Sequence, residues 1–215
     1  MTMDLKTALM KSVGRIGRQS NQSGFALTEF LISSLILLAV SSAVFSVLIE
    51  TQHAAGYQAE IQAILDNTQI AMQTIERYVR QAGNDPLNSG TAGITIVSSQ
   101  EMQIRSDLTG SAGAGDPNKG DPDGDTNDSG ESVTIRLNNR TRSLEIVPDG
   151  GSAQIVASGI SGLSFTYYNA TGGIAATGNE VRKIGISISG TSLLPNPRTH
   201  QFFGVQLSSD IQVST

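Results

Sequence analysis

Gly24-Phe25-Ala26-Leu27-Thr28-Glu29, followed by the twenty uncharged residues from Phe30 to Ile49, is the stretch around which the rest of the chain is arranged. One carboxylate stands at the head of an otherwise apolar segment. Glycine and phenylalanine precede it, and basic residues flank it only on the N-terminal side. As a helix rising about 1.5 Å per residue, Phe30 to Ile49 would span about 30 Å, the thickness of a bilayer's hydrocarbon core. Ser33, Ser34, Ser41, Ser42 and Ser46 dilute the segment. A serine hydroxyl can bond back to a carbonyl of its own helix, so these do not forbid insertion. Residues 1–24 carry Lys6, Lys11, Arg15 and Arg18 against Asp4. The positive-inside rule places them in the cytoplasm and the bulk of the chain beyond the membrane. A secretory signal has its apolar region before a small-residue cleavage site, whereas here it follows Gly24. Ala54-Ala55-Gly56 is the alternative site for ordinary signal-peptidase cleavage.

Glu29 is the anomaly. A carboxylate costs about 2.5–3.5 kcal/mol at the centre of a membrane helix, and less near its end. Two readings are open: Glu29 reaches out to the headgroups, or it pairs with a positive charge. Cleavage after Gly24 would give Phe25 a new α-amino group four residues from Glu29. That amine could serve Glu29 of its own or of a neighbouring subunit.

The helical pattern continues past Ile49. No proline occurs before Pro86, and Gly56 is the one glycine between Phe25 and Ala82. Ile61, Leu65, Thr68, Met72, Ile75 and Val79 recur at steps of three and four, and Ile64, Ala71 and Ala82 widen the stripe. This is an amphipathic helix with one face to bury. Gly83-Asn84-Asp85-Pro86 should end it, glycine as a cap and proline as a barrier. A helix from Phe25 to about Ala82 would reach roughly 87 Å, too long for so small a domain to bury. Two helices hinged at Gly56 are the alternative.

Gly-Phe-x-Leu-x-Glu, with a basic leader before it and an apolar helix behind it, resembles the class III signal of type IV pilins and pseudopilins. The resemblance implies cleavage between Gly24 and Phe25 by a prepilin peptidase, N-methylation of Phe25, and docking into a growing filament guided by Glu29. It also implies a lollipop-shaped subunit. Major pilins usually carry a kinking proline within the apolar segment. Its absence here, with the long leader, points to a minor subunit.

After Pro86 the period changes to two. Gly93–Val97, Met102–Arg105, Val133–Leu137, Leu144–Ile146, Leu163–Tyr167, Ile184–Ile188 and Phe203–Leu207 read as half-buried strands. Asn138-Asn139-Arg140 is a turn between two of them. One apolar face per strand should pack on the helix stripe, giving an antiparallel sheet in an α+β, pilin-like domain. The organisation expected is a leader at 1–24, a transmembrane or filament-core helix at 25–53, its amphipathic half at 54–83, and a strand domain at 84–215. The segments Tyr78–Gly83, Gln103–Leu108, Glu131–Leu137, Gly159–Tyr168 and Val181–Ile188, in this order, resemble the PilW group of minor pilins, related to the type II secretion pseudopilin J. That group implies a role in priming or tipping a pilus. The implied partners are other pilins or pseudopilins, the prepilin peptidase/methyltransferase and an inner-membrane assembly platform. The implied location is the inner membrane before assembly, then a periplasmic or extracellular pilus.

Residues 107–131 form an acidic loop. Asp121, Asp123, Asp125 and Asn127 alternate, and Asp128 or Glu131 could complete a shell of oxygens for Ca²⁺. The match to an EF-hand is incomplete: counted from Asp121, the sixth position is Thr126 and the twelfth Ser132. A solvated, self-repelling loop is the alternative.

The remaining composition excludes several classes. There are no cysteines, so no disulfide or thiolate chemistry is available. The chain has 14 basic and 19 acidic residues; beyond residue 24 there remain 10 and 18, a net of −8. An acidic body without a basic stripe argues against nucleic-acid binding. His53 and His200 have no metal-ligand partner at helical spacing, and no serine sits in Gly-x-Ser-x-Gly, so no enzyme is expected. Two other readings stay open: a type II secretion pseudopilin, and a membrane-anchored Ca²⁺-dependent adhesin that uses the helix only as a tether.

Overall fold

The computed structural model describes residues 22–110 and 119–213. Most of the expected leader, residues 1–21, and part of the acidic loop, residues 111–118, lie outside the described residues. The protein is α+β and divides into two units, Met1–His53 and Ala54–Thr215.

One helix, α1 (Gln22–Gln81), runs through Gly56 as a single element. Its apolar N-terminal stretch is long enough to cross a membrane. From Phe25 to Glu50 every residue except Ser41 is exposed. Two serine hydroxyls of this stretch are met within the helix. Ser34 Oγ donates to Leu31 O at 2.9 Å and Ser46 Oγ to Ser42 O at 3.0 Å. Such back-bonding is what an apolar surrounding requires of a polar side chain.

The second unit is built on the C-terminal half of the helix. Ile64, Thr68, Ala71, Met72, Ile75, Val79 and Ala82 are buried along one face, while Ile61 and Leu65 are only half-buried. The stripe is thus rotated slightly from the expected one, with Ile64 at its start. Thr68 is tolerated there because its Oγ1 donates to Ile64 O at 2.6 Å. The helix ends as its sequence implies. Gly83 adopts φ 75°, a left-handed conformation open to glycine, and its N–H donates to Arg105 O at 3.0 Å.

Among the described residues eight strands follow in two antiparallel sheets, so the expected strand domain is present but its strands are shared between two sheets. The first sheet is a meander of β1 (Ile94–Ile96), β2 (Glu101–Arg105), β3 (Ser132–Asn138), β4 (Ser143–Pro148) and β5 (Gln154–Ser158). The second holds β6 (Ile160–Tyr168), β7 (Lys183–Pro195) and β8 (Phe202–Gln212), with β7 in the centre. The chain changes sheet at Gly159: Ile160 N still donates to Arg142 O, beside the Ser143–Ser158 end of the β4–β5 ladder, while Ile160 already pairs with Gly190 of β7. Alternation sets which side chains turn inward. In β7, Ile184, Ile186 and Ile188 are buried while Gly185, Ser187 and Ser189 are half-exposed. These isoleucines join Met102, Ile104, Ile135 and Leu144 of the first sheet and Ala71, Ile75 and Val79 of the helix in one core.

Candidate functional site

Two groups of residues carry chemistry. The first is the N-terminal end of α1. Gly24 lies within the helix, and Phe25 is 80% exposed. Thr28 Oγ1 donates to Phe25 O at 2.9 Å, and Glu29 is exposed. Positions 25 and 29 are one helical turn apart on one face, so charges on the two would be neighbours. Apolar side chains surround Glu29 on every side of the helix, among them Phe30, Leu31, Ile32 and Leu35, all more than half exposed. A surface of this kind is complete only when lipid or other apolar helices cover it.

The second group is the acidic loop between β2 and β3. Its neck is closed by Glu131, which is 1% exposed. Glu131 Oε1 accepts the N–H of Leu108 at 2.8 Å and of Thr109 at 2.7 Å, and Oε2 accepts the N–H of Asp128 at 3.2 Å. Ser106 N also donates to Glu131 O at 3.0 Å. A carboxylate already saturated by backbone donors is a clasp for the loop, not a free ligand.

Asp107 is the other fixed point. It is fully buried. Its N–H donates to Asn84 O at 2.8 Å and its carbonyl accepts Asn84 Nδ2 at 3.0 Å, which ties it to the turn after α1. Its Oδ2 reaches into the loop and accepts the N–H of Gly124 at 2.9 Å, between Asp123 and Asp125. Its Oδ1 is buried without a hydrogen-bond partner.

Beyond Gly124 the loop turns on its own side chains. Asp123 Oδ1 accepts the N–H of Asp125 at 3.2 Å, and Asp125 Oδ1 accepts the N–H of Asn127 at 2.9 Å. These turns gather one carboxylate oxygen each from Asp123, Asp125 and Asp128 within 4.8 Å of one another. Asp121 is exposed and stands outside that group, and Asn127 is exposed and joins through its backbone. Asp128 Oδ2, like Asp107 Oδ1, is buried without a hydrogen-bond partner. Burial raises the Asp128 carboxyl above its ordinary value, and the charges of Asp123, Glu131, Asp125 and Asp107 push it the same way.

Of the six loop residues singled out in the sequence, three therefore converge, one clasps the loop, and two face solvent. Asp107 had no signal of its own. It lies fourteen residues before Asp121, at the end of a strand, and only the folded chain brings it to Gly124.

The sequence matches no protein-family model and no curated protein.

Proposed function

We propose that this chain is a minor subunit of a type IV pilus-like filament. It is made as a prepilin, held in the inner membrane by α1 with residues 1–24 in the cytoplasm, and inserted into the filament once the leader is removed. The observation that carries this reading is the apolar stretch of α1 from Phe25 to Glu50, exposed throughout except at Ser41, directly behind Gly-Phe-x-Leu-x-Glu.

Each residue then has a chemical part. Gly24 precedes the bond that is cut. Phe25 supplies the new α-amino group. Glu29, one turn along, offers the carboxylate that this amine pairs with, which removes the penalty of a lone charge in an apolar surrounding. The apolar surface exchanges lipid for the helices of neighbouring subunits on assembly. The lack of a proline in this stretch favours a minor subunit that starts or tips the filament. Its partners in this reading are other pilins, the prepilin peptidase/methyltransferase and an inner-membrane assembly platform.

N-terminal mass analysis tests the reading. In cells that make a prepilin peptidase, the mature protein should begin at a methylated Phe25. An intact Met1, or a cut elsewhere, would overturn the proposal. In the same experiment Glu29→Ala should still be cut, while its recovery in sheared filaments should drop severalfold. Normal recovery would remove Glu29 from assembly.

A further inference from the structure

We propose that the end of the β7–β8 hairpin docks on the headgroup surface of an anionic membrane, the one that α1 enters, and holds the strand domain there before assembly. The proposal rests on the membrane reading of α1 and adds a second contact to it. Past Thr191 the hairpin has no third strand beside it, because β6 begins at Ile160, opposite Gly190. β7 and β8 go on as a two-stranded ribbon that still pairs Pro195 with Phe202. Asn196 closes its turn. Its N–H donates to Gln201 O at 2.8 Å, and its Oδ1 accepts the N–H of Arg198 at 2.8 Å and of Thr199 at 3.1 Å. A two-stranded ribbon alone in water is marginal. This one nevertheless exposes Leu193 at 67%, Leu194 at 63% and Phe202 at 59%. Large apolar side chains gathered on a projecting ribbon mark a surface that something covers.

Placement within the second unit names the occupant. Gly190 lies against Ile64 and Thr68. Further along β7, Leu193 and Leu194 both give their N–H to Glu60 Oε1, the latter at 2.8 Å. β7 thus runs toward the N-terminal end of the helix in this unit. The turn at 196–201 lies about 7–10 Å beyond Leu194 as extended chain. Ala54, where the unit begins, lies about 9 Å back along the helix from Glu60. The apolar tip therefore stands at the end of the unit where α1 enters. Ile49 closes the apolar stretch only five residues before Ala54. That entry point is within about 18 Å of the stretch even with the chain fully extended, whatever angle the helix takes.

Charge agrees. Beyond residue 24 the chain carries a net of −8, and an acidic surface is repelled by an anionic leaflet. From Ile184 to Ser209 the sequence has no Asp, Glu or Lys, and its single Arg is Arg198, in the tip. The ribbon is thus the part of an acidic domain that can approach anionic lipid. Leucine and phenylalanine enter the boundary between headgroups and acyl chains, while a guanidinium stays with the phosphates. A second copy of the chain would bring its own acidic domain to the same place, which makes it the poorer occupant.

Fluorescence quenching on the full chain tests it. The chain has no cysteine, so a single label can be placed at will. Thr199→Cys puts an environment-sensitive dye in the turn. Val40→Cys puts it in the apolar stretch of α1. Ser152→Cys puts it on an exposed turn at the far end of the domain, which the pairs Val133–Pro148 and Ser132–Arg105 and the bond from Gly83 N to Arg105 O place beside the end of α1. Each protein is reconstituted in phosphatidylcholine vesicles with about a third phosphatidylglycerol and a lipid-borne quencher. The Thr199 label should be quenched at least about threefold more than the Ser152 label, and less in phosphatidylcholine alone. On the Thr199→Cys background, Leu194→Ser with Phe202→Ser should bring quenching down to the Ser152 level. Gln201→Glu, which adds a negative charge to the tip and leaves the apolar side chains in place, should lower it severalfold on the anionic vesicles; it tests the proposal even where the double variant fails to fold. Quenching at Val40 with Thr199 no different from Ser152 would overturn the docking and leave the membrane reading of α1 intact. No quenching at Val40 would overturn both. A blue shift at Thr199 that grows with protein per vesicle, without lipid quenching, would mean that a second copy covers the ribbon and would overturn the proposal as well.

Discussion

Glu145 shows how much a single polar residue decides in the strand domain. It faces Arg136 across the β3–β4 ladder. Arg136 Nη2 meets its Oε2 at 3.0 Å and Asn138 Nδ2 meets its Oε1 at 2.6 Å, with only 7% of the glutamate side chain exposed. The Asn138 amide holds the carboxyl below its ordinary 4.5, burial opposes this, and the Arg136 guanidinium adds to it. A carboxyl whose pKa is lowered by folding stabilises the fold above its unfolded value, and that contribution fades as pH falls through the folded one. Stability should therefore decline in acid below 4.5. Glu145→Gln should lower the unfolding free energy at neutral pH by about 1–2 kcal/mol and flatten the acid decline. Urea unfolding across a pH series, followed by tyrosine fluorescence, checks both. The exposed pair Lys183–Asp210, with side chains 39% and 62% accessible, should contribute little by comparison. At this same scale the acidic loop separates by role. Glu131 looks like a ligand in the sequence because it is a carboxylate at the end of an alternating run. It acts as a clasp because Leu108 and Thr109 present their N–H groups to it.

Between elements, α1 approaches β7 closely at Gly190. Gly190 sits opposite the buried Thr68. A Cβ there would lie 2.4 Å from Thr68 Oγ1 and 2.9 Å from Ile64 Cγ2, so any side chain must push the helix off the sheet. Gly190→Ala should destabilise the domain by about 1–3 kcal/mol. Gly204→Ala, where the nearest atom to the new Cβ is Gly190 O at 3.9 Å, should be close to neutral. Chemical denaturation of the two variants side by side separates a packing clash from the general effect of replacing glycine in a strand. Around this contact Glu60 Oε1 accepts the N–H of Leu194 at 2.8 Å, and Ser209 Oγ donates to Glu76 Oε1 at 2.6 Å, which fix the helix along the second sheet. The apolar stripe of α1 was legible in the sequence; the reason a glycine faces it from β7 was not. Strand β5 also escaped notice. Ile155-Val156-Ala157 is a short apolar run without alternation, and it becomes a strand because β4 offers it an edge.

For the whole molecule, the decisive contrast is between a helix stretch with its apolar residues outside and a domain with its apolar residues inside. The full chain should stay with membranes through alkaline carbonate extraction and be released by detergent. Residues 54–215 expressed alone should be soluble and retain the mixed helical and strand signal in circular dichroism. Release of the full chain by carbonate would contradict the membrane reading of α1. This contrast, the end of the helix at Gly83, the alternating strands and the turn at Asn138 follow from sequence alone. Each depends on the period of apolar residues or on backbone preferences over a few neighbours. The tertiary structure decided what depends on residues far apart in the chain. It shared the strands between two sheets, added β5, carried β7 and β8 through their polar ends, and chose among the loop carboxylates. Asp107 meets Gly124 and Glu131 meets Leu108 because strands β2 and β3 close the neck between them, a pairing that no local spacing encodes.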